Sequence, residues 1–238
     1  MGKNHSGRVD QLRLEVAEAN TPTHAGFEVR VRVNGEVLTA AGGGLGMDPY
    51  KVLVPDNRLV ATDEPRTVPI GRCSCGDYGC GPTDVVIVRE DDRVHWEWLP
   101  RAAENRAFVF AAATYGAEIA RASADHSWET PERTAGRLVL ANVDRERLRG
   151  LGLEPRSVGN DYRDPELFQV GLWMADDYQV FVTVPWRGRG PESLARAVCA
   201  NLAGPVDNWD ATWHAVKPSV TRPPAIGPSW RRFRRTFG

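Results

Sequence analysis

The sequence has few lysines, few cysteines and no long apolar run, and each scarcity limits what the chain can be. Only three of its 30 basic residues are lysine, an arginine bias that is typical of GC-rich coding and hence of a bacterium. No apolar run approaches the length of a membrane-spanning helix, and no signal-peptide pattern opens the chain. We therefore expect a cytoplasmic bacterial protein that does not associate with membranes.

Familiar catalytic motifs are also missing from the sequence. It contains no G-x-S-x-G elbow, no H-E-x-x-H helix and no kinase motif set. The glycine run at 42–46 lacks both the G-K-[ST] ending and the G-x-G-x-x-G spacing, so it predicts a flexible connector and not a phosphate-binding loop. A catalytic cysteine is still compatible with the sequence, because a nucleophile and its base meet in space and need not be neighbours in the chain.

Three of the four cysteines lie within eight residues, in the stretch R-C-S-C-G-D-Y-G-C-G-P at 72–82. In an extended chain Cys73 and Cys75 point the same way, and the glycines allow the backbone to return Cys80 to them. A disulfide between Cys73 and Cys75 would close a strained ring and leave an odd thiol. Converging thiolates favour tetrahedral zinc, so the sequence predicts a structural zinc site with Cys73, Cys75 and Cys80 as ligands.

Two other interpretations of this cysteine cluster remain open. The spacing C-x-C-x4-C differs from the usual C-x2-C pair, and only Asp77 lies close enough in sequence to be a fourth ligand. The stretch is also compatible with a glycine-rich turn whose cysteines pack as small apolar side chains, or with a disulfide from Cys80. Cys199 is predicted to be core packing and not a ligand.

Hydrophobic alternation predicts several antiparallel hairpins, and helical spacing predicts about three longer helices. Asn34-Gly35 is a hairpin turn signal, and a turn at Asp91-Asp92 places His95 opposite Val88. Thr130 is expected to cap a helix that begins at Pro131, and Asp48 to cap a short one. Predicted strands lie at 11–16, 27–33, 36–40, 84–89, 93–98, 167–174, 178–186 and 211–216; predicted helices lie at 115–126, 131–142 and 191–202. The expected class is α+β.

The domain organisation follows from composition. We expect a disordered arm at 1–10, a single α+β domain at 11–216 and a basic tail rich in proline and arginine at 217–238. The polar stretch at 150–165, which carries glycine and proline, is predicted to be a loop or a sub-domain boundary inside the main domain.

Two further patterns suggest sites. His95 and Glu97 share one strand face and form a conceivable acid–base pair, while Trp96 and Trp98 on the opposite face are expected to cover the core. Arg187 and Arg189 precede the helix that begins at Pro191, so they are candidate anion ligands at a helix N-terminus. Both patterns also have structural interpretations, an exposed strand pair for the first and a solvated basic turn for the second.

The C-terminal tail is strongly basic. Residues 217–238 carry a net charge of +6, which leaves −7 on the rest of the chain. Its prolines predict an extended segment outside the sheet, and its three aromatic residues recur at helical spacing. The residues expected to bind a partner are Trp230, Arg231, Arg232, Phe233, Arg234, Arg235 and Phe237. Acidic surfaces of this or another subunit, an acidic partner protein and nucleic acid are the candidate partners, and a disordered tail without a role is the alternative.

Several of these segments together resemble a family of actinobacterial hypothetical proteins. The resemblance is carried by R-C-S-C-G-D-Y-G-C-G, the V-H-W-E-W strand, the helix that runs into W-E-T-P and the late hairpin with its helix, and it covers most of residues 27–216. It implies a bacterial source and brings neither an activity nor a catalytic residue.

The function expected from the sequence is therefore a non-catalytic interaction, regulatory or accessory (immunity-like) protein whose cysteine cluster is a structural zinc site. One alternative is a thiol- or zinc-dependent enzyme centred on Cys73, Cys75 and Cys80, with His95 or Glu97 assisting. The other alternative is a nucleic-acid-associated protein that uses the basic tail.

Overall fold

The computed structural model describes residues 9–20, 25–39, 44–75, 83–99, 106–175, 177–217, 223 and 227–233. Within these ranges the chain has thirteen strands and five α-helices, and all neighbouring strands but one pair are antiparallel. The predicted α+β class is confirmed. Three of the helices are long, as expected, and the other two have only four and six residues.

The chain divides into two compact units, Met1–Trp128 and Glu129–Gly238. This boundary differs from the predicted single domain with a candidate boundary at 150–165. The W-E-T-P sequence at the observed boundary marks a helix start, which is why composition alone does not reveal it.

The N-terminal unit contains two antiparallel sheets. The first has the order β1-β2-β3 and the second the order β4-β5-β6-β7-β8, with one short and one long helix. The strands are β1 (Leu12–Asn20), β2 (Ala25–Val33), β3 (Glu36–Val37), β4 (Gly44–Gly46), β5 (Arg66–Cys73), β6 (Thr83–Glu90), β7 (Arg93–Leu99) and β8 (Ala107–Ala111), and the helices are α1 (Pro49–Val52) and α2 (Ala112–Ala124).

Local signals in this unit act as the sequence predicts. Asn34 and Gly35 both have positive φ, and they close the hairpin between β2 and β3. β3 ends at Val37, which is earlier than predicted. In the second sheet Val88 pairs with His95, the register expected from a turn at 91–92.

The two sheets and α2 bury a shared core. Trp96 and Trp98 are 1% and 3% exposed, so the prediction that they cover the core is confirmed. The Trp96 Nε1 donates to the Tyr115 hydroxyl at 3.2 Å, and that hydroxyl donates to the Leu59 carbonyl at 2.5 Å. The Trp96 Nε1 and the Tyr115 hydroxyl are therefore both hydrogen-bonded in the core. Burial raises the pKa of the Tyr115 hydroxyl well above its usual value.

A half-buried carboxylate connects α2 to β1. Glu118 accepts hydrogen bonds from the Leu14 amide at 2.7 Å and from the Arg121 guanidinium at 2.8 Å, and Arg121 also donates to the Leu14 carbonyl. Burial by itself raises the pKa of Glu118, but the hydrogen bonds from Arg121 and Leu14 outweigh it and hold the pKa below its ordinary value.

The C-terminal unit has a single five-stranded sheet in the order β13-β12-β11-β10-β9. Its helices are α3 (Pro131–Asn142), α4 (Arg145–Gly150) and α5 (Pro191–Ala203), and its strands are β9 (Leu153–Asn160), β10 (Leu167–Met174), β11 (Tyr178–Pro185), β12 (Ala211–Ala215) and β13 (Arg231–Arg232).

Both long helices of this unit pack on the same face of the sheet. Their buried residues, such as Val139 and Leu194, share one core with Phe168, Val180 and Trp213 from the strands. Thr130 caps α3 as predicted, since its side chain accepts from the Arg133 amide. The Arg147 guanidinium donates to the Gly204 carbonyl at 2.6 Å, beside the C-terminus of α5.

The stretch at 150–165 is not a continuous loop as predicted, because half of it is β9. This strand pairs with β10 and lies at the sheet edge. Pro155 and Gly159 break the alternating pattern, yet an edge strand tolerates proline because one side of it makes no ladder hydrogen bonds. A bulge where β9 meets Gly171 and Leu172 further hides the pattern.

The prediction that the tail lies outside the sheet is wrong for its described part. Arg231 and Arg232 form β13, which pairs in parallel with β12, and the Phe233 amide donates to the Trp213 carbonyl at 2.7 Å. Trp230 is 7% exposed and stacks on Trp209 at 5.9 Å between ring centroids. The prolines precede this strand, so they do not interrupt its ladder, and burial of Trp230 anchors it.

Candidate functional site

The described part of the cysteine stretch, up to Cys75, lies at the end of β5, which pairs there with β4. Cys73 pairs with Gly44 of β4, and a Cβ on Gly44 would lie 3.3 Å from that of Ser74. Cys73 is half-buried and Cys75 is exposed. Cys80 and Asp77 lie outside the described residues. In the part of the chain that the structure describes, no group of three or more histidine, cysteine or acidic side chains is placed to hold a metal, so zinc binding stays a prediction.

His95 does not lie next to the described cysteines. His95 pairs with Val88 on β6. The pair between β5 and β6 that lies nearest to Cys73 is Gly71 with Thr83. Five strand residues separate Thr83 from Val88, which corresponds to about 17 Å. The carboxylate nearest to His95 is Glu90, with its oxygen 3.6 Å from the imidazole Nε2. The geometry does not assemble His95 with Cys73 as a base with its nucleophile.

The predicted anion ligands lie in the turn before α5. Arg187 is exposed and has a positive φ of 49°, whereas the Arg189 guanidinium donates to the Pro185 carbonyl at 2.7 Å and the Trp186 carbonyl at 3.4 Å. Arg189 thus helps to close its own turn. Anion binding by this pair stays a prediction.

The described tail residues contact their own unit. The Trp230 Nε1 donates to the Val206 carbonyl at 3.0 Å, and Arg231 forms an ion pair with Asp210 at 2.7 Å. The Arg232 guanidinium lies 5.5 Å from the Trp213 ring centroid. Arg234, Arg235 and Phe237, the remaining predicted partner-binding residues, lie outside the described residues. Trp230 is therefore a structural anchor.

The face of this sheet opposite the helices has a different composition from its core. On β10, β11 and β12 the residues that alternate with buried ones are half-buried aromatic and polar side chains. Together with β13 and neighbouring residues they form what we call the aromatic face, whose principal members are Trp173, Phe181, His214, Phe233, Arg156 and Arg163. None of these rings belongs to the buried core of the unit.

A continuous row of neighbouring rings and one guanidinium crosses this face. Phe181 stacks on His214 at 5.7 Å with an interplanar angle of 22°, and His214 lies 6.2 Å from Phe233. The Arg163 guanidinium lies 5.0 Å from the Phe233 centroid and 4.9 Å from that of Tyr162, which is 83% exposed. We call these five residues the ring row. It alternates flat apolar surfaces with a cation, an arrangement that suits flat, anionic ligands.

Trp173 lies towards the β9 edge of the same face. The Arg156 guanidinium lies 5.6 Å from its ring centroid and forms an ion pair with Glu154 at 2.9 Å. Trp173 also lines a cavity of about 320 Å³ together with Arg149, Arg156 and other residues near the start of β9.

A second cavity, of about 280 Å³, lies between α3 and α5, where Leu138, Ala195 and Cys199 contribute apolar walls. Cys199 is half-buried and packs partly against the core, in agreement with its predicted role. Burial raises the pKa of its thiol, which disfavours the thiolate that acts as nucleophile or ligand.

Sequence reasoning missed the aromatic face, although a signal for it exists. In the strand predicted at 178–186, Val180 and Val182 alternate with Phe181, and this alternation places one aromatic ring on the face opposite the core. The other rings come from different strands, and their proximity depends on strand order, which the sequence does not reveal.

No protein-family model, no curated protein and no solved structure matches this chain. In the described part of the chain no helix is long and apolar enough to cross a membrane.

Proposed function

We propose that this protein is a non-catalytic binding protein that binds single-stranded nucleic acid on the aromatic face of its C-terminal unit. The observation that carries the proposal is the ring row, because its aromatic rings lie outside the core and next to one another on one face of the sheet. Bases stack on aromatic side chains irrespective of sequence, and arginine contributes to both stacking and phosphate contact.

The charge of the unit supports an anionic ligand. Residues 129–238 contain 16 basic and 13 acidic side chains, for a net charge of +3, whereas residues 1–128 carry −4. Arg163 makes no ion pair within the described residues and lies in the ring row itself. A phosphate backbone gains from such a charge through the release of its counterions.

The polar residues of the face favour nucleic acid over an acidic protein surface. Gln169, Gln179, Thr183 and Thr212 lie among the rings and are all half-buried. Amide and hydroxyl groups at such positions can hydrogen-bond with base edges, whereas the centre of a protein–protein interface is more apolar. An acidic protein partner, which the tail sequence also suggests, is the competing outcome of the test.

The test is fluorescence anisotropy with labelled oligo-dT and oligo-rU of about 20 nucleotides, titrated at low salt and at moderate salt. Phe181→Ala should weaken binding by about tenfold, because it removes one stacking surface. Arg163→Gln should reduce the salt dependence of binding. Tyr50→Ala, which removes a half-buried ring from the N-terminal unit, is the matched control and should bind normally.

Two results would count against this function. If neither oligonucleotide binds at low salt, single-strand binding is wrong. If an acidic protein is bound and Phe181→Ala abolishes that binding, the aromatic face is a protein interface instead.

For the cysteine cluster we propose a structural zinc ion, separate from the binding face. Support comes from the clustering of Cys73, Cys75 and Cys80 in the sequence and from the position of the first two at the end of β5, where Cys75 is exposed. Elemental analysis should find about one zinc per chain, and Cys75→Ser should release it and lower stability, since metal binding contributes to folding. Cys199→Ser should retain zinc. Absence of zinc together with melting that a chelator leaves unchanged would contradict the proposal.

A further inference from the structure

The cavity beside Trp173 has features that the ring row lacks. It is concave, with a volume of about 320 Å³, and one of its walls is an indole ring. Its lining includes Arg149 near the end of α4 and Arg156 and Glu154 on β9. Small-molecule sites begin at about this size, so the volume suits a single small molecule of about the size of a mononucleotide.

We propose that this cavity binds one nucleotide, with its base against the Trp173 indole and its phosphate against Arg149. This proposal depends on the proposed function in one case, in which the nucleotide is the phosphorylated end of a strand bound on the aromatic face. A free mononucleotide would occupy the same cavity.

The indole already makes the kind of contact that a base requires. The planar Arg156 guanidinium lies over its ring, with 5.6 Å between the guanidinium carbon and the ring centroid. A base would displace this guanidinium from the ring, and it would offer the indole a larger flat surface than the guanidinium does. Arg156 would then stack beside the base or contact its sugar-phosphate group.

The charges within the cavity select Arg149 as the phosphate ligand. Glu154 is the carboxylate of the lining, and its ion pair with Arg156 at 2.9 Å neutralises both groups. Arg149 uses its Nε for the Arg145 carbonyl at 3.3 Å and makes no ion pair within the described ranges. Its terminal nitrogens remain for a phosphate, and a guanidinium suits phosphate geometry.

The first experiment uses AMP and adenosine with the full chain and measures binding by calorimetry. AMP should bind more tightly than adenosine. Arg149→Gln should weaken AMP binding by about tenfold while leaving adenosine unchanged, because only the phosphate contact is lost. Trp173→Ala should weaken both, and the melting temperature of each variant checks that it is folded. Arg196→Gln removes an equal charge from the helix side of the unit and should change neither affinity.

The second experiment compares an oligo-dT of about 10 nucleotides with and without a 5′ or 3′ terminal phosphate. One phosphorylated end should bind more tightly, and Arg149→Gln should abolish that preference. If the strand binds without any preference for a phosphorylated end and AMP does not bind, the cavity proposal is overturned while single-strand binding stands. If no strand binds but AMP binds through Arg149, the cavity proposal stands and the strand-binding function fails. If AMP binds equally well to Arg149→Gln, the assignment of Arg149 is wrong.

Discussion

In the N-terminal unit the two tryptophans of β7 point into a core shared by two sheets and a helix, and both are almost fully buried. In the C-terminal unit Trp173 and Phe181 occupy neighbouring strands of one sheet but lie on the side away from the helices, half-buried. The same residue types thus stabilise the fold in one unit and form a surface in the other. Burial in the core explains the first group, whereas the second group forms the aromatic face on which the proposed function rests.

The two units also differ in net charge. The N-terminal unit has a net charge of −4, and two of its carboxylates accept hydrogen bonds from its own backbone, Glu118 from the Leu14 amide and the buried Glu28 from the Gly46 amide. The C-terminal unit has a net charge of +3, and within the described residues neither Arg163 nor Arg149 forms an ion pair. This difference in charge agrees with the proposal that the C-terminal unit binds an anionic ligand.

The largest expected effect concerns the anchor of the C-terminal unit. Trp230→Ala removes the stacking on Trp209 and the hydrogen bond to the Val206 carbonyl, and should destabilise this unit by about 3 kcal/mol or more. Hydrogen exchange followed by mass spectrometry should show faster exchange in β10 to β12 and unchanged exchange in β5 to β7. Tyr162→Ala, at an exposed ring, should leave exchange unaltered; an equal response in both units would show that their stabilities are not separate.

The next effect belongs to the N-terminal unit alone. A Cβ on Gly46 would overlap the Val29 carbonyl oxygen and lie 2.8 Å from the carbonyl carbon. Because these are backbone atoms, a change of side-chain rotamer cannot relieve the overlap. Gly46→Ala should therefore separate β4 from β2 and cost about 2–3 kcal/mol. The urea midpoint of the N-terminal unit measures the change.

Gly116→Ala provides the control for this change. Gly116 lies in α2, and the methyl group of an alanine at this position would have no atom within 4 Å, so alanine should stabilise by about 0.5–1 kcal/mol. A neutral Gly46→Ala would mean that β4 does not approach Val29 this closely.

The smallest effect is a pH dependence confined to the N-terminal unit. Folding lowers the pKa of Glu118. The stabilisation from this carboxylate is therefore complete at pH values above its pKa in the unfolded chain, and it is lost as the pH falls through its pKa in the folded protein. Glu118→Gln should cost about 1–2 kcal/mol at neutral pH and less in acid. Urea titrations from about pH 6 down to pH 3 measure this difference. Glu97→Gln, at an exposed carboxyl group, should retain the wild-type profile, and a Glu118→Gln profile parallel to the wild type would refute the role of this carboxylate.

Sequence patterns sufficed where the determinants are local. The turn at Asn34-Gly35, the cap at Thr130 and the pairing of Val88 with His95 depend on residues within a few positions of each other, so they were predictable. β9 and β13 depend on partners elsewhere in the chain. Pro155 made the first resemble a loop, and the parallel pairing of Arg231 with Thr212 spans a separation that no local pattern reveals.

The candidate site was predictable only in part for the same reason. The aromatic spacing of the tail singles out Phe233, but its neighbours His214 and Arg163 come from other elements. The cysteine cluster, by contrast, is local in sequence, and its chemistry is a prediction that metal analysis decides.

The two ends of the C-terminal sheet bear on the solubility of the protein. At one edge β9 carries Pro155, which has no amide to donate, and a bulge that breaks the regular ladder. At the other edge the short β13 lies against β12 and occupies part of its free backbone groups. A strand from another molecule therefore finds neither edge fully open. Removal of the tail would uncover β12, and the shortened chain would be expected to aggregate through that strand.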